Sequence, residues 1–414
     1  MKLRQTHAIR YGISGLAISA SSLPLYVLIP KIYANLFTLS LIHIGAILMI
    51  VRLTDAVTDP IVGRLLDATR SRHRFPIWAI PSGIIMAVSY IALILPPEQL
   101  HSVEALVYMG LLTLIVSVST GVLNVTIQTW PARWTKNAED QSTLVSSREQ
   151  FTLLGVIIAI AISTIISPEM FAAYLCTVTI LMCLSICDLP TPTVSSSNLS
   201  KPSNTVFKDF KSLLTPLFLS SLANAISATT FIFYVTDYLI FSDKEGGLLL
   251  GIYFVCALSG IWFWQKFTRI KSPLSVYILS IMATIVVFIP AGFLTKNNAD
   301  AFYLVCVLSG LTLGAELILP SILLIAKLKH LRMENKSGVV FGSWSLLVKL
   351  ALAVAAGLSL PILGYFKYTP GEDTGLFMLP VVYVVVPVVL KIATMILLVI
   401  HHKKYANIYR QTHI

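Results

Sequence analysis

Apolar stretches of about 20 residues, each long enough to cross the hydrocarbon core of a bilayer, recur from one end of this sequence to the other. No other feature restricts the fold as much. Lipid offers backbone N–H and C=O groups no hydrogen-bond partners, so segments of this length must satisfy them internally as helices. Spans are predicted over 8–30, 38–66, 77–96, 104–131, 142–167, 170–188, 212–240, 247–266, 273–295, 301–326, 337–365 and 376–401. These are twelve helices of an all-α membrane protein. With 56% hydrophobic and 12% charged residues and a mean hydropathy of +0.82, no sizeable soluble domain is left over.

The net charge of +11 would suit a nucleic-acid partner if the basic residues were clustered, but they follow the loops instead. With the N-terminus inside, the cytoplasmic segments between these spans hold 19 Lys or Arg residues, and the outer loops only Lys31, Lys244, Lys296 and Lys367. This bias places both termini in the cytoplasm of a cytoplasmic (inner) membrane protein, with lipid and not nucleic acid as its surroundings. The basic start "MKLRQTHAIR" is read as leading into a retained first helix. Cys176, Cys183, Cys187, Cys256 and Cys306 fall in spans without metal-ligand spacing and read as small apolar packers. The sequence shows no phosphate-cradling Gly-rich loop, HExxH or nucleophile elbow, so neither an enzyme nor a cofactor is expected.

Between the sixth and seventh spans, "LPTPTVSSSNLSKPSNTVFKDFK" is rich in Ser, Pro and Thr and lacks apolar periodicity. It divides the chain into a six-helix bundle (1–188), a cytoplasmic linker (189–210) and a second six-helix bundle with a short tail (211–414). "GRLLDATRSRHR" after span two has a degraded echo in "GIWFWQKFTRIKS" after span eight, as expected of two related halves. Span eight has nothing that answers Asp55 and Asp59. Whatever those carboxylates do is done once, in the first half.

Asp55 lies twelve residues from Asp67 at the cytoplasmic end of span two, which at 1.5 Å per residue puts it about 18 Å deep. Asp59 follows one turn later on the same face, about 6 Å away, and Arg52 precedes them by one turn. The three form a charged stripe expected to face the bundle interior. At an effective dielectric near 20, carboxylates 6 Å apart repel by roughly 3 kcal/mol. One must take a proton, or a hard cation such as Na+ must bridge them. A site that takes up a cation and must release it again is a coupling site. Lys349, Arg148, Glu149 and Glu316 also lie within spans, where charges are costly and usually functional. Trp130, near Asn124, can stack on the C–H face of a sugar or simply pack. Asp237, near the outer end of its span, reads as interfacial.

"RLTDAVTDPIVGRLLDATRSR" resembles the signature of the glycoside-pentoside-hexuronide cation symporters, the melibiose permease family of the major facilitator superfamily. "YGISG", "DQSTLVSSREQFTLLG" and "GVVFGSWSLLVKLALAVAAGL" extend the likeness to both halves at matching spacing. The resemblance implies a major facilitator fold of two bundles around a central cavity, working by alternating access. It implies cation-site carboxylates at Asp55 and Asp59, an oxygen ligand at Thr120, and functional charges at Arg148 and Lys349.

The departures concern the cargo. Melibiose-type relatives carry acids where this chain has Ser19 and near the place of Asn124, so the acids that bind sugar hydroxyls are missing. Arg133 and Lys327 stand where relatives usually have acids, so gating pairs are expected to be rearranged or weakened. The expected function is Na+- or H+-coupled symport of a small polar solute, a sugar or glycoside, by a monomer. Alternatives are the same fold carrying a lysolipid, another amphiphile or an anionic metabolite, and a non-transporting sensor or scaffold. Arg52, Asn124, Trp130, Arg148, Glu149, Glu316 and Lys349 are the candidates for substrate contact or coupling.

Overall fold

The computed structural model describes residues 5–71, 73–97, 99–165, 168–187, 189, 205–372 and 374–410, and they form an all-helical chain. Its helices are α1 (Gln5–Phe37), α2 (Leu41–Ala68), α3 (Arg74–Ile94), α4 (Ser102–Trp134), α5 (Ala138–Ile165) and α6 (Pro168–Cys187). The second series is α7 (Thr205–Phe233), α8 (Asp243–Ile270), α9 (Pro273–Phe288), α10 (Ala301–His330) and α11 (Ser337–Tyr365). The last helix, α12, runs from Met378–Pro380 through a π-helical stretch, Val381–Val385, into Val386–Arg410. Among the described residues, 9 helices are long and apolar enough to cross a membrane by length and composition. With α1, α2 and α5 they make the expected twelve. The linker expected at 189–210 lies outside the described residues, apart from Leu189 and the stretch from Thr205 onward, which is already α7.

Local chemistry sets the helix starts. Ser242 caps α8 by accepting from Glu245 N–H at 3.4 Å, while the Glu245 carboxylate accepts Ser242 N–H at 2.8 Å. Ser272 caps α9 directly before Pro273, whose missing N–H costs nothing in the first turn.

The chain divides into two compact units, Met1–Ser203 with Leu331–Leu346, and Asn204–His330 with Leu347–Ile414. The core of the first is strongly aromatic: Trp130 stacks on Phe75 with ring centroids 4.9 Å apart, and the Tyr11 hydroxyl donates to the Ile127 carbonyl at 2.6 Å. In the second unit, Tyr234 and Tyr383 stack at 4.3 Å within a cluster that includes Phe302 and Phe288. There α8 and α10 approach backbone to backbone: a Cβ on Gly260 would strike the Leu311 carbonyl, and one on Gly314 would strike Gly260. Small residues allow this approach where lipid supplies no hydrophobic drive between helices.

Candidate functional site

The two carboxylates of α2 are withdrawn from the surface of the first unit, Asp55 being 8% exposed and Asp59 0%. Arg52 does not share that burial. It is exposed, so of the three charges expected to face inward only the two carboxylates are buried. Arg52 is two turns from Asp59 and so within about 20° of the same face, and its long stem lets the guanidinium stay exposed where the short Asp side chains are buried.

Asp59 lies at a close helix crossing. The first turns of α11 belong to this unit, and a Cβ on Gly342 would collide with the Asp59 carbonyl. One turn further along, Gly63 and Gly338 meet backbone to backbone. Asp67, at the end of α2 beyond the predicted span, caps the start of α11: its carboxylate accepts the N–H groups of Gly338 and Val339, both at 2.9 Å. A carboxylate placed on the exposed N–H groups of a helix N-terminus is electrostatically favourable. Arg133 completes the arrangement, pairing with Asp67 and donating to Ser337 Oγ at 2.8 Å and the Asn335 carbonyl at 2.7 Å. Arg133, where gating pairs were expected to be rearranged or weakened, is thus ion-paired with Asp67 and bonded to the start of α11. Lys327, the second departure, lies in the other unit, donates to Ser212 Oγ at 3.2 Å and sits 5.2 Å from the centroid of the Phe210 ring.

Burial dominates the Asp67–Arg133 pair. It pushes the Asp67 carboxyl up to about 6 against the opposing pull of Arg133, the Val339 and Gly338 N–H groups and Arg74. Asp67 moves against the direction that attraction to Arg133 would give, so burial outweighs that attraction. The folded value of Asp67 lies above the ordinary 3.8, so its contribution to stability is present below about pH 4 and is lost as pH rises through about 6. The wild-type melting midpoint should accordingly fall across that window, by the equivalent of about 3 kcal/mol. In Asp67→Asn this fall should be absent; an identical pH profile in the variant would refute the assignment.

Arg148 and Glu149 on α5 are buried and paired with each other. Ser19 on α1 donates to the Gly15 carbonyl at 2.9 Å, and a Cβ on Gly155 of α5 would collide with its hydroxyl. The α1–α5 contact is thus built around a small side chain at position 19. Asn124 accepts from Gln128 Nε2 at 3.1 Å on half-buried α4 surface. Thr120 donates to the Val116 carbonyl at 2.8 Å, and its hydroxyl lies 3.4 Å from that of Ser21 on α1. Trp130 is 0% exposed among Phe75, Trp134 and Tyr11, which makes it part of the core and not a wall on which a sugar can stack. Its ring faces are spent on neighbouring rings.

Lys349 belongs to the second unit, half-buried on α11 with its ammonium nitrogen covered. Glu316 on α10 pairs with Lys391 on α12, both side chains being only 4% exposed. One Glu316 oxygen also accepts from Ser220 Oγ and Asn224 Nδ2 of α7, both at 2.8 Å, and the other from Thr284 of α9 at 3.4 Å. Lys391 in turn donates to Ser220 at 2.9 Å. Asp237, read as interfacial, accepts from Tyr368 and from Gly371 N–H at 3.1 Å, and so ties the loop after α11 to the end of α7.

Asp67 and Lys391 are not among the candidate site residues read from the sequence, although Lys391 is one of the charges within a span. Asp67 served only as a marker of helix end, and its partners on α11 are some 270 residues away. For Lys391 a signal existed: Ser220 and Asn224, polar and one turn apart in an apolar span, mark a helix face that needs a polar partner.

The profile of the MFS/sugar transport protein family matches residues 10–402. Among curated proteins, the chain is 34% identical over 94 residues to YagG of Escherichia coli (strain K12), which is named as a glycoside/cation symporter; the match covers 22% of this chain and 20% of YagG. It is 26% identical over 168 residues, 39% of this chain and 32% of the relative, to the sphingosine-1-phosphate transporter MFSD2B of Xenopus tropicalis. To the uncharacterized symporter sll1374 of Synechocystis sp. it is 29% identical over 175 residues, 40% of this chain and 32% of that one. The chain thus spans a third or less of the length of these relatives. Two crystal structures share the fold at 14% identity. FucP, a major facilitator superfamily transporter in the outward conformation, has a TM-score of 0.69 over 95% of this chain and 98% of its own. A bacterial homologue of the iron transporter ferroportin, outward-facing, has 0.72 over 97% and 100%.

Proposed function

We propose that this chain, which belongs to the MFS/sugar transport protein family, is a secondary active transporter that carries a small polar solute together with Na+ or H+ by alternating access. One observation carries the reading: Asp55 and Asp59, one helical turn apart on a membrane helix, are both buried. Two buried carboxylates one helical turn apart, about 6 Å, repel by roughly 3 kcal/mol, and a proton or sodium ion removes that repulsion. Cation binding then favours whichever conformation offers the better site, and the solute adds its own differential affinity. Thr120 is an additional oxygen donor for the ion. Arg148, Glu149, Asn124 and Lys349 are the groups proposed to contact the solute or to sense the change of charge. The bundles 1–188 and 211–414, joined by the linker 189–210, are proposed as the moving parts, with both termini in the cytoplasm.

For the cargo, sugars and glycosides are the first class, in keeping with the family and with the name of YagG. A lysolipid or other amphiphile, or an anionic metabolite, is a second reading with its own observation. Ser19 is 1% exposed against Gly155, so the small side chain that replaces the sugar-binding acid of melibiose-type relatives is built into the packing. The name of MFSD2B points the same way.

A melting screen of the purified protein against neutral glycosides, lysophospholipids and small anions, with and without NaCl, separates these classes, since a ligand of the folded state raises the midpoint by mass action. The expected result is a glycoside whose shift grows with Na+ or with acid. Stabilisation by lysophospholipids alone would overturn the sugar reading. A ligand shift indifferent to both Na+ and pH would count against coupling.

A further inference from the structure

We propose that the C-terminal end of α7 is a strained element with two registers, held in a π-helical form by a latch from Asp237 to the loop after α11. The helical run does not stop at Phe233 but continues as a π-helical turn, Tyr234–Tyr238. The turn closes with Leu239 N–H donating to the Tyr234 carbonyl at 3.1 Å and Phe241 N–H to the Val235 carbonyl at 3.0 Å. Between those two donors, Ile240 takes a φ of +63°. A β-branched residue rarely enters the left-handed region, and at 62% exposure Ile240 gains little packing there to offset the strain.

What holds the strained form comes from another part of the chain. One Asp237 oxygen accepts both the Tyr368 hydroxyl and the Gly371 N–H, the latter at 3.1 Å, and the other accepts from Thr236 Oγ at 2.7 Å. Tyr368 is buried with its ring edge-on to Phe233 at 6.0 Å, so the donor is anchored on the α-helical part of α7 while it grips the π turn. Lys367 at a φ of +58° and Gly371 at +80° bend the loop over that carboxylate. The base of the turn is fixed as well. Tyr234 stacks on Tyr383 of α12 at 4.3 Å and donates to the Ala291 carbonyl.

A π turn holds about one residue more than an α turn, so rewinding it to α geometry draws the chain beyond it in by about 1.5 Å and rotates it by about 100°. Rewinding releases Ile240 from the left-handed region and breaks the bonds to Tyr368 and Gly371. Strain therefore favours the rewound form, and the latch favours the π form; such strain persists only where the surroundings over-determine it. A simple helix cap needs no strained residue, and a frayed end would not keep Ile240 at +63°. The end of α7 moves between its registers by breaking a few hydrogen bonds, with Tyr234 as the stationary point. This device lies wholly within the second unit and depends on neither the cargo nor the coupling ion.

Backbone hydrogen exchange of the full chain in detergent micelles, read at Leu239 and Phe241, tests this without any solute. Tyr368→Phe keeps the ring on Phe233 but removes one bond to the carboxylate, and should speed exchange at both amides by about tenfold. Asp237→Asn, whose one oxygen can still accept from Tyr368 and Gly371, should speed it less than Asp237→Ala, which accepts from neither. Ile240→Gly should act in the opposite sense and slow exchange by about threefold, because glycine enters the left-handed region freely. Combining Tyr368→Phe with Ile240→Gly should bring the rates back toward wild type. Exchange at Ala223 and Ile226, earlier on α7, should keep its wild-type rate throughout, which separates release of the latch from loss of the fold. Unchanged exchange at Leu239 and Phe241 in Tyr368→Phe and Asp237→Ala would overturn the latch. Faster exchange in Ile240→Gly would reveal an ordinary flexible turn without stored strain and overturn the two registers.

Discussion

Asp59→Asn is expected to abolish accumulation of solute driven by a Na+ or proton gradient in proteoliposomes, while the protein still reconstitutes and melts no lower than wild type does. Asn keeps the size and shape of Asp, so the crossing where Gly342 packs against the Asp59 backbone is undisturbed. The variant removes the repulsion that makes a cation welcome. At roughly 3 kcal/mol this is on the order of a hundredfold in cation affinity. Asp55→Asn should behave alike, because the repulsion belongs to the pair. Downhill exchange of solute should survive in both, since it needs the rocking motion and not the gradient. Wild-type accumulation by both variants would end the coupling assignment. Loss in only one would move the site onto a single carboxylate.

The second large effect is expected in the other unit. Lys391→Met leaves the Glu316 carboxylate in an apolar interior with only Ser220, Asn224 and Thr284 to donate to it. Removing one partner of a buried ion pair typically costs about 3–5 kcal/mol. Adding Glu316→Gln should recover most of that loss, because a neutral amide can still bond Ser220, Asn224 and Thr284 without an uncompensated charge. Denaturation of the three variants measures this directly. If the double variant is as unstable as the single one, the pair does not act as a unit. Uptake per folded molecule in the double variant then assigns Glu316: full activity makes the pair a staple of α7, α10 and α12, and lost activity returns it to the solute or coupling machinery.

Much of this protein was legible without coordinates. Helices follow from hydropathy because lipid permits almost nothing else, and the burial of Asp55 and Asp59 followed from their phase and depth on α2. Arg52 shows the limit of that reasoning: periodicity puts it near the face of Asp59, yet its side chain is exposed, because a long flexible stem lets the head stay where it is solvated. Trp130 failed differently: one position cannot show whether an aromatic ring meets a cavity or three other rings, and here it meets Phe75, Trp134 and Tyr11.

The sequence by itself determined that the chain crosses a membrane many times as helices, that it carries buried charge at cost, and that the carboxylate pair Asp55 and Asp59 has no counterpart in the second half. Each of these depends on composition and on neighbours within two helical turns. Tertiary structure alone decided who partners those charges: Asp67 with Arg133 and the start of α11, Glu316 with Lys391 and α7, and Ser19 against Gly155. Pairings across 66 to more than 270 residues depend on helix approach and rotation. Those are set by where glycines let backbones touch and by which side chains fill the remaining space, and no local pattern records them.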